Sequence, residues 1–278
     1  MSIPVFVISL KSSSDRRENT RIQLDLAGVK FIFVNAVDGR NFSDDDTRNN
    51  PQFGIFNSGI YSRYLRKEEI GCTLSHLNIF RQMIDNSIPI ACILEDDNIY
   101  SADFRELLEI FEQNASDWDL LYLGHRSECT TKEAVGRRKK IPGPLDFYIG
   151  EPFEVPYGSH GYLITIVAAQ LLLDNAYPVK VPVDVYLGNS ASLGIRIMLL
   201  HPPSLVSDSR FTSTIQDENT VVVRNRVSGI IRNILKKNRV IFGFLNNCTI
   251  KFRILRNTAM RFLRKKGIIK NKYSTILK

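Results

Sequence analysis

The sequence predicts an α/β fold built on a mostly parallel central sheet. Three observations carry that reading. Short apolar runs of strand length alternate with longer helical stretches between residues 4 and 200. The first of these, residues 4–34, form a strand–helix–strand unit. Three consecutive carboxylates, Glu95-Asp96-Asp97, then follow the apolar run Ile90-Ala91-Cys92-Ile93-Leu94. Charges do not stay inside a sheet without partners, so the cluster belongs where a strand leaves the core. In open α/β sheets that is also where ligands bind. The same residues would equally serve as a charged turn capping the next helix.

Each element has its own justification. Residues 4–10 read as a buried strand. Lys11-Ser12-Ser13-Ser14-Asp15 is a polar turn of helix-capping residue types, and a helix follows from about Arg16 to Leu26, with Ile22 and Leu26 on one face and Gly28 ending it. Lys30-Phe31-Ile32-Phe33-Val34 reads as the second strand, and residues 40–67, rich in Asn, Asp and Ser, as irregular. Glu68 to about Asn86 reads as a helix with Ile70, Leu74, Leu77 and Met83 among its apolar positions, leading into the strand that ends at Glu95. A helix over 104–111 and a strand over 119–124 come next. From His125 to Tyr157 the pattern fails, around the cluster Arg137-Arg138-Lys139-Lys140. A loop that long reads as a functional lid or an insert. Gly161–Thr165 restores a strand, an apolar helix runs to about Tyr177, and residues 195–200 form a late strand beyond Pro182-Val183-Asp184.

Hydrophobic content of 44% and charged content of 24% are those of a globular protein. No apolar run approaches the ~20 residues that span a bilayer. The first ten residues lack a basic region and a cleavage site, so they read as a strand rather than a signal peptide. Cys72, Cys92, Cys129 and Cys248 show no paired metal-ligand spacing, which points to a reducing, cytoplasmic setting.

The net charge of +8 hides a division. Residues 224–278 hold 16 of the 37 Lys and Arg and no acidic residue, leaving 21 basic against 29 acidic side chains elsewhere. The expected organisation is a mildly acidic body, residues 1–218, and a basic tail, residues 219–278. Val227, Ile230, Ile231, Ile234 and Leu235 share one helical face, and Phe252, Leu255, Ala259, Phe262 and Leu263 repeat the design among Arg and Lys. Basic amphipathic helices of this kind lie in membrane interfaces, where each Lys or Arg near an anionic leaflet contributes about 1 kcal/mol. The expectation is a peripheral position on the inner face of the plasma membrane, with packing of the helices on the acidic body as the alternative. The tail helices also offer a means of pairing two chains into a homodimer. Nucleic acid is the weaker partner, because the tail's aromatics follow the apolar face instead of forming a stacking platform.

No Walker glycine loop, G-x-G-x-x-G, H-E-x-x-H or G-x-S-x-G occurs. Carboxylates at a strand end suit a hard divalent cation, Mn²⁺ or Mg²⁺, whose shell a bound diphosphate can complete. That fits a nucleoside diphosphate donor.

An ordered set of short motifs sharpens this. Phe6-Val7-Ile8-Ser9-Leu10 with Asp15-Arg16-Arg17, Val37-Asp38-Gly39, Gly71-Cys72-Thr73-Leu74-Ser75-His76, Ile93-Leu94-Glu95-Asp96-Asp97, Gly158-Ser159-His160-Gly161-Tyr162-Leu163-Ile164 and Pro182-Val183-Asp184 occur in the order seen in glycosyltransferase family 25. The chain resembles that family over roughly residues 4–215. The family includes bacterial lipooligosaccharide galactosyltransferases and collagen galactosyltransferases. The resemblance implies a GT-A-like nucleotide-sugar-binding fold, a UDP-sugar donor, a divalent metal and inversion at the anomeric carbon. By position, Asp97 and Glu95 match the metal motif. Asp96, Ser9, Leu10, Arg16, Asp38, Ser75 and His76 match the donor side, and His160 and Tyr162 the acceptor side. Arg16 would meet the diphosphate or form a surface ion pair. Asp38 would contact the uridine or simply build its turn. His76 is either a site residue or a hydrogen-bonded core histidine. Asp184 is the candidate base for the acceptor hydroxyl, or else a helix cap before Val185. His201 and Asp208 follow the last strand, where such enzymes often supply a further metal ligand.

The implied activity is transfer of a hexose, galactose first among them, to a lipid-linked oligosaccharide acceptor of the lipopolysaccharide or lipooligosaccharide core. A nucleotidyltransferase shares the same metal logic and would release pyrophosphate instead of UDP. A nucleic-acid-binding protein led by the tail is the non-enzymatic alternative.

Overall fold

The computed structural model describes residues 2–57, 61–113, 117–126, 135–142, 146–152, 155–211 and 223–224. All of the expected tail beyond Arg224 lies outside them. The chain opens with β1 (Val5–Ser9), α1 (Ser14–Leu26) and β2 (Ile32–Asn35), and β1 and β2 pair in parallel. A single turn of 3-10 helix (Gly39–Asn41), α2 (Asp44–Arg48) and the hairpin strands β3 (Ile55–Asn57) and β4 (Tyr61–Tyr64) follow. The stretch expected to be irregular is therefore ordered by short elements. One of them, α2, is started by a reciprocal cap between Ser43 and Asp46.

Next come α3 (Lys67–Asp85), β5 (Ile90–Glu95), β6 (Asn98–Tyr100), α4 (Phe104–Gln113) and β7 (Leu120–Arg126). The chain continues through β8 (Val135–Lys140), β9 (Tyr148–Pro152), β10 (Tyr157–Thr165), α5 (Ile166–Asp174), α6 (Val183–Asn189), β11 (Ile197–His201) and β12 (Leu205–Ser207). A short β13 (Val223–Arg224) joins β4.

Eight strands form the main sheet in the order β2-β1-β5-β10-β7-β11-β9-β8. The expected mostly parallel sheet is corrected here. Only β1/β2, β1/β5 and β7/β11 are parallel; β10 runs against both β5 and β7, and β9 runs against β11 and β8. The physical reason is that an apolar run reports burial on both faces and carries no information about direction. The segment read as a lid supplies the β8–β9 hairpin at one edge of the sheet. Its basic residues Arg138, Lys139 and Lys140 are exposed there. Edge strands carry such charges readily, which is why the run lacked a strand's usual apolar pattern.

The sheet is buried on both sides. Along β1, Phe6 and Ile8 join Ile93, Tyr162 and Ile164 under Ile70, Leu77 and Phe80 of α3 and Leu172 of α5. Val5 and Val7 alternate to the other face, with Cys92, Leu94 and Leu163 against Leu24 of α1 and Phe104, Leu107 and Phe111 of α4. The face of α1 expected to be apolar points to solvent, with Ile22 51% and Leu26 84% exposed. Its inner face instead buries Thr20 and Leu24. Thr20 donates its hydroxyl to the Asp96 carbonyl at 3.1 Å, so a polar contact takes the place of an apolar stripe.

Two close approaches position the later site. Gly71 of α3 lies against the 37–39 turn, where a Cβ would stand 2.6 Å from the Val37 carbonyl oxygen and 2.7 Å from the Gly39 nitrogen. Gly124 of β7 and Gly161 of β10 make room for Leu205 of β12, which a Cβ at either would meet at 2.4 Å. The start of α3 is held by Glu69. Its carboxylate accepts from Arg63 of β4 at 2.5 and 2.6 Å and from the Arg66 backbone N–H at 2.9 Å. Burial pushes the Glu69 carboxyl up, but the Arg63 hydrogen bonds and the flanking positive charge outweigh it and hold it below its ordinary value.

Two stability outcomes follow from these contacts. Gly71→Ala should lose about 1–3 kcal/mol through backbone overpacking, read as a lower urea midpoint with an unchanged slope. Glu69→Gln should lose roughly 3 kcal/mol at neutral pH by taking the carboxylate from a buried Arg63. Because the folded carboxyl is depressed, its contribution is present at neutral pH and fades as pH falls through that lowered value. The gap between wild type and Glu69→Gln should therefore close in acid, measured as paired urea midpoints at two pH values.

Candidate active site

Parallel pairing sets Ile8 beside Glu95, so β1 and β5 end together at one edge of the core. Glu95 ends β5 and Asp96 and Asp97 form the bend that follows, and the three side chains divide between two sides. Asp96 turns toward α1 and is buried. Its carboxylate accepts the Ser9 hydroxyl at 2.6 Å and the Arg16 guanidinium at 3.1 Å. Arg17 in turn donates to the Ser9 and Leu10 carbonyls at 3.0 and 3.2 Å. Ser9, Leu10, Arg16 and Asp96 are thus one assembly, and Arg16 also stands 3.7 Å from an Asp97 oxygen.

Glu95 and Asp97 face a cleft of about 1110 Å³, whose lining includes His160, Asp184 and Asp208. Burial pushes the Glu95 carboxyl up, but the neighbouring His76 ring, the charge of His160 and the Ser159 hydroxyl outweigh it and hold it at about 2. Its Oε1 accepts from Ser159 of β10 and lies 3.6 Å from Nε2 of the fully buried His76. Asp97 is fastened from the other side. β6 pairs antiparallel with β12, and the Asp208 backbone N–H donates to the Asp97 carbonyl at 2.6 Å. The Asp208 carboxylate is clamped by Arg210, whose hydrogen bonds hold it below its ordinary value. Arg16 and Arg210 lie over the Phe211 ring at 5.4 and 5.9 Å.

His160 is nearly buried, and its Nδ1 meets the Ser207 hydroxyl at 3.2 Å. Asp184 sits in the first turn of α6, behind Pro182 as the capping residue. The helix therefore starts two residues earlier than a cap at Asp184 would require. One Asp184 oxygen accepts the Val185 N–H at 2.7 Å. Burial raises its carboxyl above the ordinary value, and the charges of Glu95 and Glu69 push in the same direction.

The structure brings Glu95, Asp97, His160, Asp184 and Asp208 to one cleft and places the others outside its lining. Asp38 caps the 3-10 turn and pairs with Arg40 at 2.6 Å. Ser75 is buried in α3, donating to the Gly71 carbonyl and accepting from Val37 N–H. It braces the 37–39 turn rather than lining the cleft. Tyr162 is fully buried, with its hydroxyl 2.7 Å from Nδ1 of His76. It stands behind the site. His201 is not among the lining residues.

Sequence reasoning missed Arg63, Arg66, Glu69, Tyr157 and Phe211 of the lining. Arg63 and Arg66 lie in a segment read as irregular, and Glu69 carried no capping signature because its partner at the cap is Arg66. Among the described residues, one group of three His, Cys, Asp or Glu ligand atoms gathers within 4.8 Å, namely Cys72, His76 and Glu95. Asp97 is outside it.

The comparisons with known proteins agree with the family resemblance. The model of glycosyltransferase family 25 (LPS biosynthesis protein) matches residues 2–187. Procollagen galactosyltransferase 1-B of Xenopus laevis is 32% identical over 194 residues, covering 66% of this chain and 30% of that protein. Procollagen galactosyltransferase 2 of Homo sapiens is 30% identical over 190 residues, covering 66% and 29%. An inactive glycosyltransferase 25 family member 3 of Homo sapiens is 33% identical over 140 residues, covering 47% and 23%. The chain spans about 30% of the length of the first two relatives. With its family model matched across two thirds of its length, and its acidic strand end, Gly71–His76 helix and Asp184 turn all falling inside that match, this chain belongs to glycosyltransferase family 25.

Proposed function

We propose that this chain is an inverting, metal-dependent glycosyltransferase. It takes a hexose, galactose from UDP-galactose, to a hydroxyl of a lipopolysaccharide or lipooligosaccharide core acceptor. The observation that carries the reading is one cleft in which Glu95 and Asp97 share the lining with Asp184, a carboxylate of raised proton affinity. Galactose is supported by the names of the procollagen galactosyltransferase relatives. The acceptor class is supported by the family model's description as an LPS biosynthesis protein and by the basic tail, which suits a polyanionic, membrane-borne substrate.

The residues present fit a hard cation. Mg²⁺ and Mn²⁺ are commonly held by one or two carboxylates with substrate phosphates completing the shell, and Asp97 and Glu95 offer that number of carboxylates to the cleft. When bound there, the ion would neutralise charge on the departing UDP. Arg16, held between Asp96 and Asp97, adds fixed positive charge beside the diphosphate position. Asp184 would take the proton from the attacking acceptor hydroxyl, and its raised proton affinity makes it a better base than an exposed aspartate. Asp96 acts by positioning, since Ser9 and Arg16 engage its carboxylate.

The basic tail, residues 224–278, would hold the enzyme on the cytoplasmic, anionic leaflet where a lipid-linked acceptor lies. The Arg137–Lys140 run stands on an edge strand of the same body and would add to attraction for phosphorylated acceptors.

The deciding experiment is product release from a panel of UDP-sugars with Mn²⁺, and again with EDTA. UDP appearing from UDP-galactose only with metal supports the reading. Pyrophosphate as product, from a nucleoside triphosphate, would replace it with a nucleotidyltransferase. Asp97→Ala should abolish metal-dependent turnover while the far-ultraviolet spectrum stays native. Asp184→Asn should cost roughly 10²–10⁴-fold in kcat. The acid limb of the wild-type pH–rate profile should lie above the ordinary aspartate range, because a raised carboxyl must lose its proton before it can act as base. A chain ending at Arg224 should no longer sediment with phosphatidylserine vesicles yet should still transfer to a soluble acceptor; equal sedimentation would remove the membrane role of the tail.

A further inference from the structure

Cys72 and His76 lie one helical turn apart on α3, so both point to the same side. That side faces Glu95. One ligand atom from each of the three residues lies within 4.8 Å of the others. The His76 ring is wholly buried, and its two nitrogens differ. Nδ1 is held by the Tyr162 hydroxyl at 2.7 Å. Nε2 has no hydrogen-bond partner and stands 3.6 Å from Oε1 of Glu95. A buried ring nitrogen left in that way carries a desolvation cost unless another group meets it.

We propose that Cys72, His76 and Glu95 form a binding site for a thiophilic divalent cation of the zinc class, with its fourth position open to the cleft. The donor set is the argument. A thiol, an imidazole and a carboxylate suit zinc and its relatives, whereas Mg²⁺ and Mn²⁺ select oxygen. Zinc bonds of ordinary length set tetrahedral ligand atoms about 3.3–3.8 Å apart. The His76–Glu95 separation of 3.6 Å already meets that spacing. Closing the remaining separations asks for movements of about 1 Å, within reach of a Cys72 rotamer change.

The surroundings are those of a built site. Tyr162 orients the imidazole through its far nitrogen, and Ser159 donates to Glu95. Outer partners of this kind tune metal affinity. Cys72 and Glu95 both line the cleft, which supplies an entry path and room for a fourth ligand. The site is separate in chemistry from the carboxylate pair Glu95 and Asp97, because Asp97 is not in the cluster. The two share Glu95, so a zinc-class ion and a hard cation compete for one side chain. The inference does not rest on the transferase reading, and its test uses no activity.

The probe is Co²⁺ added to the full-length, reduced protein. A thiolate-to-cobalt charge-transfer band in the near ultraviolet, saturating at one equivalent, is expected for the wild type. The band should vanish in Cys72→Ser, be lost in His76→Gln, and persist in Asp97→Ala. Cys72 is only half-buried and lines the cleft, so Cys72→Ser should fold, with a native circular dichroism spectrum as the check. Absence of the band in the wild type would overturn the site, leaving His76 and Glu95 as buried neighbours with Cys72 a bystander. A band that survives in Cys72→Ser would overturn it too, by assigning the cobalt to another cysteine.

Discussion

Asp96 is buried with its carboxylate engaged, and the geometry of the cleft depends on how that is arranged. The Ser9 hydroxyl and the Arg16 guanidinium satisfy the carboxylate, while Thr20 holds its carbonyl. Each partner comes from β1 or from the helix that follows it, so the strand–helix pair at the start of the chain is bolted to the end of β5. A buried carboxylate missing these partners would be strongly destabilising. The register of β1 against β5 and the approach of α1 to the sheet are therefore linked, since both must be right for one side chain to be satisfied.

That bolt frees its neighbours. Three adjacent carboxylates would repel one another if all faced the same space. The bend after β5 sends Asp96 inward and leaves Glu95 and Asp97 on the cleft side, where each meets different company. Glu95 is surrounded by His76, His160 and Ser159, which keep it charged. Asp97 is held through its backbone by Asp208, the residue just past β12. Asp184 approaches from a separate helix, where burial and the charges of Glu95 and Glu69 raise its proton affinity, the opposite way to that of Glu95. Carboxylates in one cleft, with proton affinities driven apart by their surroundings, are the arrangement that acid–base chemistry at neutral pH requires.

How much of this was legible follows from what each residue type reports. β1, β5, β7 and β10 stood out because both of their faces are covered, which makes an uninterrupted apolar run. Their direction did not, and β10 turned out antiparallel to both neighbours. The β8–β9 hairpin was hidden by the charges its edge position tolerates. On α1 the helix was legible, but the buried face was not, because its inner contacts are made by Arg16 and Thr20 as well as Leu24. Glu95, Asp97, His160 and Asp184 were picked out by their motifs, and the structure gathers them along one cleft. Ser75 and Tyr162 sit in the same motifs for a different reason, as braces behind the cleft. Arg63 and Glu69 left no local trace, because the pairing joins a hairpin to a helix start and depends on tertiary placement alone.

The seat of Leu205 over Gly124 and Gly161 has a consequence in time. β12 cannot dock until both central strands are in place, and only its docking brings the Asp208 amide to the Asp97 carbonyl. A chain made from its N-terminus presents Asp97 about 110 residues before the segment that clasps it. The acidic turn therefore stays unclasped until that segment has been made. A nascent or prematurely ended chain would carry the motif without the cavity, whose lining is complete only on a body that runs through Phe211.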